Sequence, residues 1–224
     1  SGSGPAACAN TWDKGLTKKI LDLNKINTPD SIEIDQFTKE ISEAGLHSSI
    51  FDRLRPFDSI FLKPKEDGSS VDIFKIFDDN SLKQAYNKCL NPNRGFLFQE
   101  FIKGRELTVT VVDNECFPPI EIITNNEFYD YEAKYISNDT LHMEADLNED
   151  EIKEIKEISL KAFKSLGCKG WARVDLFQDT NKNFSIIEIN TVPGMTSHSN
   201  VPKSGSLINL SYSDVVQRII HASL

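Results

Sequence analysis

Trp171-Ala172-Arg173-Val174-Asp175-Leu176, then Asp179-Thr180-Asn181-Lys182-Asn183, then Ile186-Ile187-Glu188-Ile189-Asn190: the fold is decided by how these pieces are read together. Two apolar-rich runs, 171–177 and 184–189, flank a polar turn, which is the pattern of an antiparallel hairpin. Side chains alternate faces along a strand. Arg173 and Asp175 therefore share one face, opposite Val174 and Leu176. Glu188 and Asn190 likewise share a face, opposite Ile187 and Ile189. A hairpin turning at Asn181-Lys182 sets Asp175 across from Glu188 and Arg173 across from Asn190. Such neighbours lie about 4.5–5.5 Å apart at Cβ. Two carboxylates so placed repel unless a cation sits between them, and an oxygen-only set suits Mg²⁺. The same residues also read as a solvated polar face on which Arg173 neutralises the acids. Geometry alone leaves both readings open.

Outward from the hairpin, residues 149–166 form the clearest helix. Ile152, Ile155, Ala162, Phe163 and Leu166 recur at helical spacing, acids crowd the first turn, and Gly167 follows the end. A second helical stripe, Leu16, Ile20, Leu21 and Leu23, lies in 12–25 with Thr11 as cap. Strands are expected at 31–34, 59–62, 71–77, 96–101, 106–112 and 119–124. Further helices are expected at about 80–90, capped by Asp79 or Asn80, and from Ser213 to about 220. There is no regular βαβ alternation, and neither a G-x-x-x-x-G-K-[ST] nor a G-x-G-x-x-G motif occurs. The expectation is a predominantly antiparallel α+β chain in two lobes, 1–102 and 103–224.

Composition narrows the partners. Of 224 residues, 39% are hydrophobic and 26% charged, an ordinary globular balance. A net charge of −9 argues against a nucleic-acid partner, because the phosphate backbone would be repelled. No apolar run reaches membrane length, and Ser1-Gly2-Ser3-Gly4-Pro5 does not have the form of a secretory signal, so no membrane partner is expected. Cys8, Cys89, Cys116 and Cys168 show neither C-x-x-C nor zinc-ligand spacing. They read as reduced thiols of a cytoplasmic protein.

Three more segments carry binding chemistry. Lys63 ends a strand and is followed by Gly68-Ser69-Ser70, a loop whose N–H groups and hydroxyls can cradle a phosphate; taken alone, the lysine is as readily solvated. Phe128-Tyr129-Asp130-Tyr131-Glu132-Ala133-Lys134-Tyr135 reads as a loop of binding groups or as an aromatic patch on the core. Asn190 to Ser199 places glycine and hydroxyls beside the paired carboxylates. His198 and Ser199 are merely adjacent in sequence, which makes no nucleophile–base pair.

DKGLTKK at 13–19, KPKEDGSSV at 63–71, QEFIKGRELTV at 99–109, FYDYEAKY at 128–135, GCKGWARVDL at 167–176 and IIEINTVPGMTSHS at 186–199 together resemble the D-alanine–D-alanine ligases, in order and in spacing. The resemblance spans essentially the whole chain, which starts after that family's N-terminal domain. It implies the ATP-grasp fold, two α+β lobes holding ATP between them. It also implies ATP-dependent joining of two D-alanines through an acyl phosphate, for peptidoglycan precursors, with Mg²⁺ (or Mn²⁺) and in a homodimer.

Residue by residue, the resemblance implies that Lys14 and Lys63 contact ATP phosphates. Gln99, Glu100 and Ile102 line the adenine pocket and Glu106 holds the ribose. Asp175, Glu188 and Asn190 bind two Mg²⁺ ions. Lys134 reaches the γ-phosphate from the loop that carries Tyr135, and Ser69 with Tyr135 orients loop and substrate. Arg173 and the Gly194 N–H stabilise the oxyanion. Ser199, beside Asn200, holds the carboxylate of the second D-alanine. Three positions depart from the family pattern: Gln99 stands for glutamate, Asp72 for glycine and Asn200 for leucine. Two other functions compete. One is a nucleotide-binding ATP-grasp fragment without turnover. The other is an ATP-grasp ligase with another acceptor such as D-lactate, against which FYDYEAKY stands.

Overall fold

The computed structural model of the chain describes residues 2–66, 71–124 and 140–223. Ser69, Lys134, Tyr135 and the rest of FYDYEAKY lie outside the described residues. Among those described, every strand pairing is antiparallel and the strands form two sheets. The first holds β1 (Ser31–Ile34), β2 (Ile60–Pro64), β3 (Phe74–Ile76) and β4 (Phe96–Glu100) in the order β1-β4-β2-β3. The second holds β5 (Gly104–Val112), β7 (Ile120–Ile123), β8 (Leu141–Glu144), β9 (Trp171–Asp179) and β10 (Phe184–Asn190) in the order β10-β9-β5-β7-β8. β6 (Glu115–Cys116) pairs with β5 beside them.

Helix ends follow their capping chemistry. α5 (Glu149–Ser165) begins at Asn148, which forms a reciprocal capping box with Glu151, and Gly167 takes the left-handed conformation just past its end (φ 76°). α7 (Tyr212–His221) begins at Ser211, not Ser213, because Ser211 has Asp214 three residues on to complete its box. α4 (Asp79–Lys88) is capped by Asp78 through the same arrangement with Ser81, one residue before the caps expected.

The N-terminal region departs from the expected single helix at 12–25. It is two helices, α1 (Pro5–Trp12) and α2 (Lys14–Leu23), broken at Asp13, whose extended backbone and carboxylate cap α2 at the Leu16 N–H. Thr11 is not the cap; it is buried in α1, and its hydroxyl donates to the Cys8 carbonyl. Of the proposed stripe, Leu21 is buried whereas Leu23 is exposed. Elements beyond those expected include β6, β8, α3 (Lys39–Ala44), α6 (Asn200–Ser206) and a single 3-10 turn at Ser49–Phe51. β3 is shorter than 71–77, because Asp72 sits at φ 55° and interrupts extended backbone.

Each sheet has its own core. Ile34, Phe37, Phe51, Leu62, Ile76, Phe96 and Phe98 fill the first. Phe98 packs edge-on against Phe37 and Phe51, a favourable aromatic arrangement. Leu107, Val109, Val111, Val174, Leu176, Ile186 and Ile189 fill the second beneath α5, and Ala7, Leu21 and Ile26 join them there. The helices preceding β1 thus pack with the second core, although they belong to 1–102 in sequence. Their apolar faces are complementary to β10 and α5 rather than to the first sheet.

Candidate active site

Alternation gives the second sheet a core face and a polar face. On the polar face, Thr108, Asp175 and Glu188 form one cross-strand row and Thr110, Arg173 and Asn190 the next. Both pairings expected from the hairpin are therefore in register. The route to that register is different, however. Near the turn Ile186 faces Leu176, then Ile187 bulges and Glu188 faces Asp175. The bulge resets alternation, so Ile186 and Ile189 enter the core and Ile187, expected there, does not.

Asp175 is 6% exposed and richly supplied with donors. Thr108 Oγ1 donates to its Oδ1 at 2.6 Å. Arg173 donates from Nε to the same oxygen at 2.8 Å and from Nη2 to Oδ2 at 2.6 Å. The guanidinium along the strand thus balances a nearly buried charge, as the polar-face reading anticipated. Glu188, half-buried, lies across from it. Asn190 Oδ1 accepts the Val192 N–H at 2.9 Å.

The segment after β10 closes over this face. Ser199 Oγ accepts the Thr196 N–H at 3.0 Å, and a Cβ placed on Gly194 would stand 3.0 Å from that oxygen. Glycine here lets the backbone approach Ser199 closely. Asn200, buried, opens α6, and Ser204 one turn later bonds Thr110 at 2.9 Å. The Tyr212 hydroxyl donates to the Met195 carbonyl at 2.8 Å and ties the segment to α7. Glu106 stands on the same sheet face, paired with Ile122 and Phe177.

On the first sheet the face away from the core carries Lys63, Leu97 and Glu33 in one row and Phe61, Gln99 and Ser31 in the next. Lys63 and Gln99 are each 7% exposed. Glu100 parts from Gln99: its carboxylate accepts the Asp30 N–H at 2.8 Å, and it lines, with Ile102, Lys18, Thr28 and Ser185, a cleft of about 770 Å³ between the lobes. Lys14 N donates to the Lys65 carbonyl at 3.0 Å, so α2 reaches the connection after β2. Lys65 Nζ lies 3.1 Å from Glu33, and Lys19 lies 2.9 Å from the same carboxylate. Burial works against both charges, yet the hydrogen bonds from Lys19 and Lys65 hold the Glu33 carboxyl below its ordinary range, and Glu33 holds Lys65 above its own.

Residues 23–221 of the sequence match the family model described as D-ala D-ala ligase C-terminus. The chain is 35% identical to the D-alanine–D-alanine ligase of Haemophilus ducreyi, covering 100% of this chain and 72% of that one. The chain belongs to the D-alanine–D-alanine ligase family. The ligase of Mannheimia succiniciproducens is 37% identical, with 71% of it covered. Among solved structures, the D-alanine–D-alanine ligase of Bacillus anthracis complexed with ATP superposes with a TM-score of 0.80 at 27% identity, over 100% of this chain and 69% of that one. The VanG D-Ala:D-Ser ligase of Enterococcus faecalis gives 0.84 at 27%, over 100% and 64%. The two-lobed α+β architecture is the ATP-grasp fold of these ligases.

Some residues around the candidate site carry little signal in the sequence. Thr108 and Thr110 support Asp175 and Ser204, and the only hint of them was the alternation in Glu106-Leu107-Thr108-Val109-Thr110. His142, on the edge strand β8, lies near Arg173 and Asn200. Burial foremost, then Lys203, holds its imidazole below the ordinary histidine range. Nothing in Leu141-His142-Met143-Glu144 announced that position.

Proposed function

We propose that this chain binds ATP with a divalent cation across its two sheets and activates a D-alanine carboxylate for attack by the amine of a second D-alanine. The observation that carries the reading is the row Thr108–Asp175–Glu188 beside the row Thr110–Arg173–Asn190, in register on one sheet face. Among the described residues no group of three or more His, Cys, Asp or Glu could hold a metal by itself. The set that fits is two carboxylates and one carboxamide oxygen, completed by substrate phosphates, as Mg²⁺ prefers. Asp175, Glu188 and Asn190 would hold the ion or ions. When bound, the cation supplies charge stabilisation to the phosphoryl oxygens.

The protein's own residues do the rest. Lys14 and Lys63 face the phosphates with positive charge, Lys63 nearly buried and so weakly screened. Gln99 and Ile102 border the adenine, with Glu100 at the cleft edge, and Glu106 orients the ribose. Gln99 accepts from an exocyclic amine through its amide oxygen, as the family's glutamate would. Arg173, already fixed by Asp175, and the Gly194 N–H are aimed at the oxyanion that forms when the amine attacks the acyl phosphate. Ser199, with Asn200 beside it, receives the acceptor carboxylate. Lys134, Tyr135 and Ser69 complete the reading from outside the described residues. Catalysis is by placement and charge, with no covalent enzyme intermediate.

The proposed reaction belongs to the cytoplasm, the compartment of ATP and of reduced thiols such as Cys8 and Cys168. It carries the family's homodimer with it. Among the described residues no helix is long and apolar enough to cross a membrane. The test is a product assay with ATP, Mg²⁺ and equal D-alanine and D-lactate. Alanyl-alanine should dominate and rise from pH 6 to 9, as the acceptor ammonium loses its proton. Predominant depsipeptide at pH 7 would overturn the acceptor assignment, and ATP binding without either product would leave only a nucleotide-binding module.

A further inference from the structure

Lys14 and Lys63 come from elements that belong to different cores. Lys63 stands on β2, in the row Lys63–Leu97–Glu33 of the first sheet. Lys14 opens α2, whose Leu21 packs in the second core. The two elements meet at Glu33. Its carboxylate lies against Gly15, the residue after Lys14: a Cβ placed on Gly15 would stand 2.7 Å from the carboxyl carbon and 2.9 Å from each oxygen. Glycine leaves the room that this approach needs.

Glu33 is held there from both sides. Lys19, one turn along α2, lies 2.9 Å from Oε1, and Lys65, just past β2, lies 3.1 Å from Oε2. Lys65 also reaches Asp13, the cap of α2, at 3.5 Å. The Lys14 N–H is one of the donors that a helix start leaves unsatisfied. It donates across the junction to the Lys65 carbonyl at 3.0 Å, and Asp13 bridges Glu66 beside it. The Lys19 side chain is 64% exposed, so its ion pair adds little to stability. What a carboxylate clamped between two cations and a glycine does supply is position.

We propose that Glu33 is a positioning residue that sets the spacing between Lys14 and Lys63, and through them the affinity for a triphosphate. The proposal rests on the reading of those two lysines as phosphate contacts. Its sign is distinctive. An anion that acted on the phosphates only through its charge would repel them, and its removal would tighten binding. A positioning anion predicts the reverse, with the adenosine part of ATP untouched.

Calorimetric titration of the chain with Mg·ATP and with adenosine reads the difference. Glu33→Gln keeps the shape and removes the charge that both lysines hold. It should weaken Mg·ATP about fivefold. Adenosine should change less than about twofold, within the spread expected of independent sites. Gly15→Ala attacks the same contact from the helix. Alanine is the better helix former, so α2 is not loosened, but its methyl displaces the carboxylate. Mg·ATP should weaken about threefold. In an Glu33→Ala background the methyl meets no carboxylate, and Gly15→Ala should then add nothing. Tighter or unchanged Mg·ATP binding in Glu33→Gln would overturn the proposal. So would equal weakening of Mg·ATP and adenosine, the mark of a merely structural role, or a Gly15→Ala cost that is the same in both backgrounds. Should Glu33→Gln fail to fold, Gly15→Ala decides alone, on the same split between Mg·ATP and adenosine. Failure of the unsubstituted chain to bind Mg·ATP would instead overturn the functional reading beneath it.

Discussion

The two sheets handle charge in opposite ways. In the second, charge is set by strand register: Arg173, Asp175, Glu188 and Asn190 owe their places to long strands whose ladder is nine residues deep between β5 and β9. In the first, β3 has three residues, and charge is set by what the connections touch: Lys65 through Glu33 and Asp13, Asp72 through Arg94. The second sheet therefore offers a fixed constellation and the first an anchored strap. A ligand lying against both meets oxygen donors whose spacing is built into one ladder and cations, Lys63 on β2 and Lys14 at the start of α2, that come from two separate elements. Substitutions in the second sheet should accordingly damage the chemical step, and those in the first should damage nucleotide affinity.

The largest effect that tests this contrast is Glu188→Gln. It keeps the shape and removes one of two opposed charges, so kcat/KM should fall by about 100-fold or more. A neutral outcome in steady-state kinetics would mean that the row Thr108–Asp175–Glu188 is only a solvated face. Thr108→Val comes next. It withdraws the 2.6 Å hydrogen bond that holds the nearly buried Asp175. Activity should drop about tenfold, as for other groups that orient a ligating carboxylate. Stability should fall by about 1–3 kcal/mol in urea melts. Activity that survives while stability falls would detach Asp175 from the chemistry.

His142 gives a smaller, pH-dependent effect at the sheet's edge. Burial and Lys203 hold its folded-state affinity for a proton below the ordinary value. The unfolded chain then takes up the proton first as pH falls, so stability is fully present above about pH 6.5, the ordinary histidine value, and declines below it. In His142→Gln that part of the acid-side loss should vanish from urea midpoints measured between pH 7.5 and 5.5. An unchanged slope would mean that another group governs it. The smallest effect belongs to Gln99→Glu on the first sheet. The amide oxygen already accepts as the carboxylate would, so the KM for ATP should move by no more than about threefold, roughly 0.6 kcal/mol. A larger change would show that the charge itself, and not the acceptor, recognises the nucleotide.

The same contrast explains what could be read from sequence. Strong alternation in 171–177 revealed the polar row, and Asp175 and Glu188 face one another as that alternation requires. It could not reveal the bulge at Ile187, because three consecutive apolar-or-acidic steps in Ile186-Ile187-Glu188 look the same with or without it. The break between α1 and α2 was hidden because Asp13 lies within a stretch whose apolar spacing continues across it, and a cap depends on backbone conformation. That Leu21 and Ile26 pack on the second core was hidden too, since neither residue carries a signal for which sheet it will meet. Site residues on the β9–β10 hairpin were legible. Asp72, Thr108 and His142 act through partners far away in the chain, and pairwise spacing says nothing of those.

In the proposed function the two sheets together bind ATP, the carboxylate row through a divalent cation. Calorimetric titration of this chain with ATP, with and without Mg²⁺, tests it most directly. The predicted result is saturable one-to-one binding with Mg²⁺, at least about tenfold weaker without it, and a melting temperature that rises with Mg·ATP by mass action. Binding of equal strength with and without Mg²⁺, or no binding in either case, would contradict the claim.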